Sequence, residues 1–173
     1  IVTGGIKGIG GAISDLFLSC GACVVAVYRG DEDAASKFRS KMAKYGDNLV
    51  VHKCDVTQEA DRKVLFDEAI ERFKTLNVLV NNAGVLTRSG ILDMKKEEFD
   101  KVLSTNLVAP YWLTQEFARN VIKLSTTGSI VNISSIDAFR ATGFMSHYEV
   151  AKAGLTMLTK SAATELAKHN IRV

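Results

Sequence analysis
Apolar residues recur along this chain with two alternating periods. Cys23–Tyr28 is an apolar run of strand length, and Asn48–Lys53, Val78–Asn81 and Ser129–Ser134 are further short runs rich in Val, Ile and Leu. Runs of this kind predict strands covered on both faces. Between them the spacing changes. Gly8–Ser19 places Ile9, Ile13, Leu16 and Phe17 at helical intervals, so one side of a helix is apolar. Asp31–Tyr45, Thr57–Phe73, Lys95–Leu124 and Ser146–His169 read as helices too. Asp31–Tyr45 opens on acids and carries its basic residues further on, as the helix dipole favours. This alternation predicts an α/β fold, a doubly wound parallel sheet of Rossmann type with helices on both faces. Right-handed crossovers force that layout.

No internal repeat or low-complexity tract breaks residues 1–173, which read as a single dinucleotide-binding domain. Ile1-Val2 is a poor strand to launch the glycine-rich segment after it, and Asn170–Val173 reads as a helix exit entering another strand. The expectation is a domain truncated at both ends, with a shortened first strand, a cut sixth strand, and a last strand and substrate loop outside the sequence.

Composition narrows the function classes. At 173 residues, 47% hydrophobic and 24% charged, the chain can bury a substantial core and is not disordered. Its 22 basic and 19 acidic residues are interspersed, so no stripe suits nucleic acid or a membrane surface. No apolar run is long enough to span a bilayer. With no targeting segment in view, a cytoplasmic location is expected. Cys20-Gly21-Ala22-Cys23 has C-x-x-C spacing, but it closes a helix and enters a strand, whereas a redox pair opens a helix. His52, His147 and His169 form no ligand spacing, so no metal is called for. His147 is expected to face solvent from the first turn of its helix.

The chemistry-bearing residues begin at Thr3-Gly4-x-x-x-Gly8-Ile9-Gly10, between the strand stub and the first helix. Glycines there let a pyrophosphate approach the backbone, and the helix N-terminus faces it with free N–H groups. A tight strand-to-helix turn without a ligand would use the same glycines. The spacing differs from G-x-G-x-x-G. It resembles the short-chain dehydrogenase/reductase family, as do Asp55-Val56, Asn81-Asn82-Ala83-Gly84, Thr105-Asn106-Leu107, Ser134-Ser135 and Tyr148-x-x-x-Lys152, which occur in the family's order.

Tyr148 and Lys152 are four apart and share a helical face. Ser146-x-x-Glu149 has capping-box spacing, which would start the helix at Ser146. A free phenol (pKa ~10) is a poor proton carrier at neutral pH. One close ammonium supplies roughly the 4 kcal/mol of phenolate stabilisation that a three-unit shift requires. The resemblance implies that Tyr148 exchanges the substrate proton, that Ser135 holds the substrate oxygen, and that Lys152 acts on Tyr148 and the nicotinamide ribose. It further implies that Asn106 holds a relay water. Pro110 has no N–H for the Asn106 carbonyl, so the helix is expected to kink there and leave that carbonyl to water.

The cofactor residues implied are Thr3, Gly4, Lys7, Gly8, Ile9, Gly10, Arg29, Asp55, Val56, Asn82, Ala83 and Gly84, with Tyr148 and Lys152. Asp55 would cap the adenine amino group and Val56 would pack on the ring. Lys7 and Arg29 at the adenosine ribose favour NADP(H) over NAD(H), although Asp31, Glu32 and Asp33 would repel a phosphate if they pointed inward. The implied reaction is reversible hydride transfer between NADP(H) and a small-molecule carbonyl or secondary alcohol, in a homo-oligomer packed through the two long helices. Ile136–Met145 should border a rather apolar substrate pocket. Two alternatives stay open: a nucleotide-binding protein or inactive fragment without chemistry, and epimerase or dehydratase chemistry on the same scaffold.

Overall fold
The structure is a computed structural model and describes residues 1–173. Six strands form one sheet: β1 Val2–Thr3, β2 Val24–Tyr28, β3 Leu49–Lys53, β4 Val78–Asn81, β5 Gly128–Asn132 and β6 Ile171–Arg172. Their order is β3-β2-β1-β4-β5-β6, and every pairing is parallel. The helices are α1 Gly8–Ser19, α2 Glu32–Lys41, α3 Glu59–Phe73, α4 Lys96–Leu103, α5 Ala109–Lys123 and α6 Ser146–Leu166.

Side-chain alternation explains the two layers. Along β2, Val25 and Val27 join a core with Leu65 and Phe66 of α3 and with Leu113 and Phe117 of α5. Val24, Ala26 and Tyr28 point the other way, to Leu18 of α1 and Phe38 of α2. Both faces of β2 are therefore covered, and all five of its residues are buried, as its unbroken apolar run required. The short β1 is central: Val2 pairs with Ala26 on one side and Val80 on the other.

Several boundaries differ from the sequence pattern. The expected helix Lys95–Leu124 is two helices joined by a wide turn over Ser104–Val108, where the Ala109 N–H reaches back to Ser104 O. The irregularity expected at Pro110 thus takes the form of this widened turn. Pro110 itself sits in the first turn of α5 and offers no N–H to the turn before it. α2 stops at Lys41 and gives way to a tight turn over Ala43–Asn48, where Gly46 adopts φ 51°. α6 does start at Ser146, but no capping box forms. Glu149 instead accepts hydrogen bonds from the N–H and hydroxyl of Thr142, at 2.7 and 3.1 Å. No helix is long and apolar enough to cross a membrane.

Candidate functional site
Strand order reverses between β1 and β4, the point where open sheets of this kind leave a crevice outside the C-terminal strand ends. A cleft of about 640 Å³ lies at this point, within the range of small-molecule sites. Gly4, Ile6 and Lys7 form one wall, Tyr28–Asp31 and Cys54–Val56 a second, and Ala83–Val85 with Thr105 a third.

The glycine loop is fastened from below. Thr3 is 1% exposed. Its hydroxyl donates to Val80 O at 3.1 Å and accepts the N–H groups of Asn82 and Ala83, both at 3.0 Å. Asn82 Nδ2 returns bonds to Thr3 O at 2.9 Å and Gly4 O at 3.3 Å. Thr3 and Asn82 therefore brace the loop's backbone against β4. A Cβ at Gly10 would stand 2.2 Å from Gly4 O, so only glycine fits. Gly8 opens α1 at φ 54° with nothing near its missing Cβ, and Lys7 puts no side-chain cap on the helix. This end of α1 is an open cradle of N–H groups suited to a phosphate.

At the β2 end of the cleft, the expected pair of free cations is altered. Lys7 Nζ is 2.5 Å from Asp31 Oδ2. That bond, with the Ala34 N–H, holds the Asp31 carboxyl below the usual range. Asp31 thus does point into the cleft, while Glu32 turns to Lys53 and to the Tyr28 hydroxyl. Arg29 is exposed on the same wall. Asp55 lines the cleft and takes the N–H and hydroxyl of Thr57 on Oδ1, at 3.0 and 2.7 Å. Burial pushes the Cys54 thiol up to about 12, which leaves it a neutral wall residue.

The acid–base residues stand apart from this cleft, around the end of β5 and the first turns of α6. Lys152 is 5% exposed. Its Nζ donates to Ile133 O at 2.6 Å and lies 5.7 Å from the Tyr148 ring centroid. Burial lowers its pKa. Ser134 turns to Thr156 of α6, hydroxyl to hydroxyl at 2.8 Å. Ser135 donates to Asp137 Oδ2 at 3.2 Å and accepts the Asp137 N–H at 3.1 Å. Asn106 is wholly buried in the wide turn. Its amide makes two 2.8 Å bonds to the Val85 backbone, one to the N–H and one to the carbonyl. The Asn106 side chain is thus spent on the loop after β4, not on Lys152.

His147 corrects another expectation. It is fully buried, with Nε2 2.7 Å from Thr87 Oγ1 and no partner at Nδ1. The loop after β4 is tied to this segment twice, since Ser89 N–H also donates to Phe144 O at 2.8 Å. A position next to Tyr148 gave no sign of this, because the direction of a first-turn side chain depends on where the neighbouring loop runs. Val85 and Thr87 were missed by sequence reasoning, and they carry no signature of their own.

Sheet order, glycine turn and crevice are those of the doubly wound α/β class. Comparison with known proteins makes this specific: the chain belongs to the short-chain dehydrogenase family, whose model, described as short chain dehydrogenase, matches residues 1–173. It is therefore of an oxidoreductase family. It is 35% identical over 173 residues to an uncharacterized oxidoreductase of Thermotoga maritima, covering all of this chain and 67% of that protein. It is 34% identical to a 3-oxoacyl-(acyl-carrier-protein) reductase of Chlamydia pneumoniae, covering all of this chain and 69% of that protein. The crystal structure of a metagenomic short-chain oxidoreductase in complex with NADP superposes with a TM-score of 0.90 at 34% identity, over 99% of this chain and 76% of that one.

Proposed function
We propose that this protein reduces a small carbonyl compound, or oxidises the matching secondary alcohol, with NADP(H) as hydride carrier. The observation that carries the reading is the enclosed ammonium of Lys152, anchored to Ile133 O and set over the Tyr148 ring. A buried cation without a carboxylate partner is costly, and such groups concentrate where chemistry needs them.

The cleft's residues suit the cofactor. Gly4, Gly8, Ile9 and Gly10 would take the pyrophosphate, braced by Thr3 and Asn82. Asp55 and Val56 would flank the adenine, and Ala83 and Gly84 would line the way toward Tyr148. Lys7 and Arg29 would meet the 2′-phosphate, with Lys7 exchanging Asp31 for it. Bound there, NADP(H) supplies or accepts the hydride. The chain's own residues move the proton: Tyr148 gives it to the substrate oxygen, Ser135 holds that oxygen, and Lys152 stabilises the phenolate left behind. Asn106 fixes the Val85 backbone at the pocket wall, and its carbonyl, offered no N–H by Pro110, is the acceptor for a relay water. Exposed Val108, Tyr111 and Trp112 on and before α5 and Val150 and Met157 on α6 support a homo-oligomer built on these helices.

A panel of carbonyl compounds, followed by NADPH and NADH absorbance in parallel, tests this reading. NADPH consumption dependent on the carbonyl compound is expected. A protein that binds NADPH and consumes none with any of them would be a binding module.

A further inference from the structure
Asp137, which holds the Ser135 hydroxyl, has a bearing on the substrate. A serine hydroxyl has one proton. Here that proton points to Asp137 Oδ2, while the Asp137 N–H occupies a lone pair. Asp137 is largely enclosed, its side chain 15% exposed. The nearest cation, Arg140, is 4.0 Å away, beyond hydrogen-bond reach, and mostly in solvent. Ser135 is thus the one side chain that donates to this carboxylate, through Oδ2. The residues around it in the same segment, Ile136, Phe139 and Phe144, are exposed and apolar.

To hold a substrate carbonyl, Ser135 must turn its proton away from Asp137. That leaves Asp137 Oδ2 without its side-chain donor, an unfavourable exchange for a partly enclosed carboxylate. A substrate with a hydroxyl on the carbon next to its carbonyl brings a replacement donor to the same place. A substrate with a carboxylate there meets like charge and is rejected.

We infer that Asp137 is a specificity-determining residue, selecting neutral carbonyl compounds that carry a hydroxyl beside the carbonyl, and the matching diols. The inference rests on the proposed roles of Ser135 and Tyr148. It is tested by kcat/KM for two pairs differing by one hydroxyl, butanone with acetoin and cyclohexanone with its α-hydroxy derivative, and for pyruvate as the anionic arm. The parent protein prefers each hydroxylated partner by about tenfold, the worth of one hydrogen bond to a charged group, and turns over pyruvate more slowly than either butanone or acetoin. D137A, which removes the acceptor, brings the preference toward one and raises the efficiency on butanone because Ser135 is released; D137N, whose amide oxygen still accepts from Ser135 but carries no charge, does both in part. Equal efficiencies within both pairs in the parent, a preference that survives both substitutions, or no turnover of any pair would overturn the inference. Y148F separates the two readings. If Y148F abolishes turnover while the Asp137 variants keep the parent's preference, only the inference about Asp137 fails. If Y148F turns over at the parent's rate, the acid–base reading itself fails.

Discussion

The ammonium of Lys152 sits where water cannot easily reach it, and its pKa is lowered by that burial. The folded chain therefore gives up this proton at a lower pH than the unfolded chain. Below the folded pKa the charged amine costs stability, and the cost disappears as pH rises toward the ordinary lysine range. Lys152→Met removes the group at similar length. Urea unfolding from neutral to alkaline pH should show the stability difference shifting in favour of the parent as pH rises; a pH-independent difference would contradict the burial argument. On the proposed cofactor placement Arg29 is the residue to test, since Lys7 already has Asp31 as a partner. R29A should lower kcat/KM for NADPH by about tenfold, the worth of a charged hydrogen bond, with little effect on NADH. Equal losses on both cofactors would remove Arg29 from phosphate recognition. Tyr148, Lys152 and the glycines stood out in the sequence only through the conjunction and order of several motifs, since each spacing alone is common. The Lys7–Asp31 pair was legible only as a conflict between neighbouring charges, since the sequence does not say which way Asp31 turns.

Among the elements, strands were easier to read than helix ends. β2 and β4 needed only apolar runs between polar flanks. Helix ends depended on partners elsewhere: Glu149 left Ser146 for Thr142, and α4 and α5 parted at a wide turn where the periodic pattern runs on. The Asn106–Val85 and His147–Thr87 bonds join segments 21 and 60 residues apart, which no local pattern can announce. The second of these fixes the start of α6 to the loop after β4. Thr87→Val keeps the shape but leaves the buried His147 ring with neither nitrogen paired. Its expected cost is about 1–3 kcal/mol by urea unfolding, and Thr87→Ser should restore most of it. No loss in the valine variant would show that the bond contributes nothing.

For the whole molecule, the alternation of strand and helix was enough to specify the layers, and right-handed crossovers did the rest. The two cores on opposite faces of β2 arise from side-chain alternation in a strand covered on both sides. The crevice at the reversal of strand order is a consequence of the topology, so its place was foreseeable while its charge pattern was not. β1 shows why a stub of two residues suffices: it lies between β2 and β4, and Thr3 at its end binds across to the β4 strand and the residues after it. The same sheet places the glycine cradle on one side of β4 and the Tyr148–Lys152 pair beyond β5.

In the proposed reaction the phenolic hydroxyl of Tyr148 moves the substrate proton. Carbonyl-dependent NADPH oxidation by Tyr148→Phe measures it most directly, with NADPH binding followed by fluorescence on the same samples. General acid catalysis of this kind is worth about 10²–10⁴ in rate. A fall of that size in kcat is expected with cofactor affinity retained; a variant that turns over as fast as the parent would rule Tyr148 out as the proton donor.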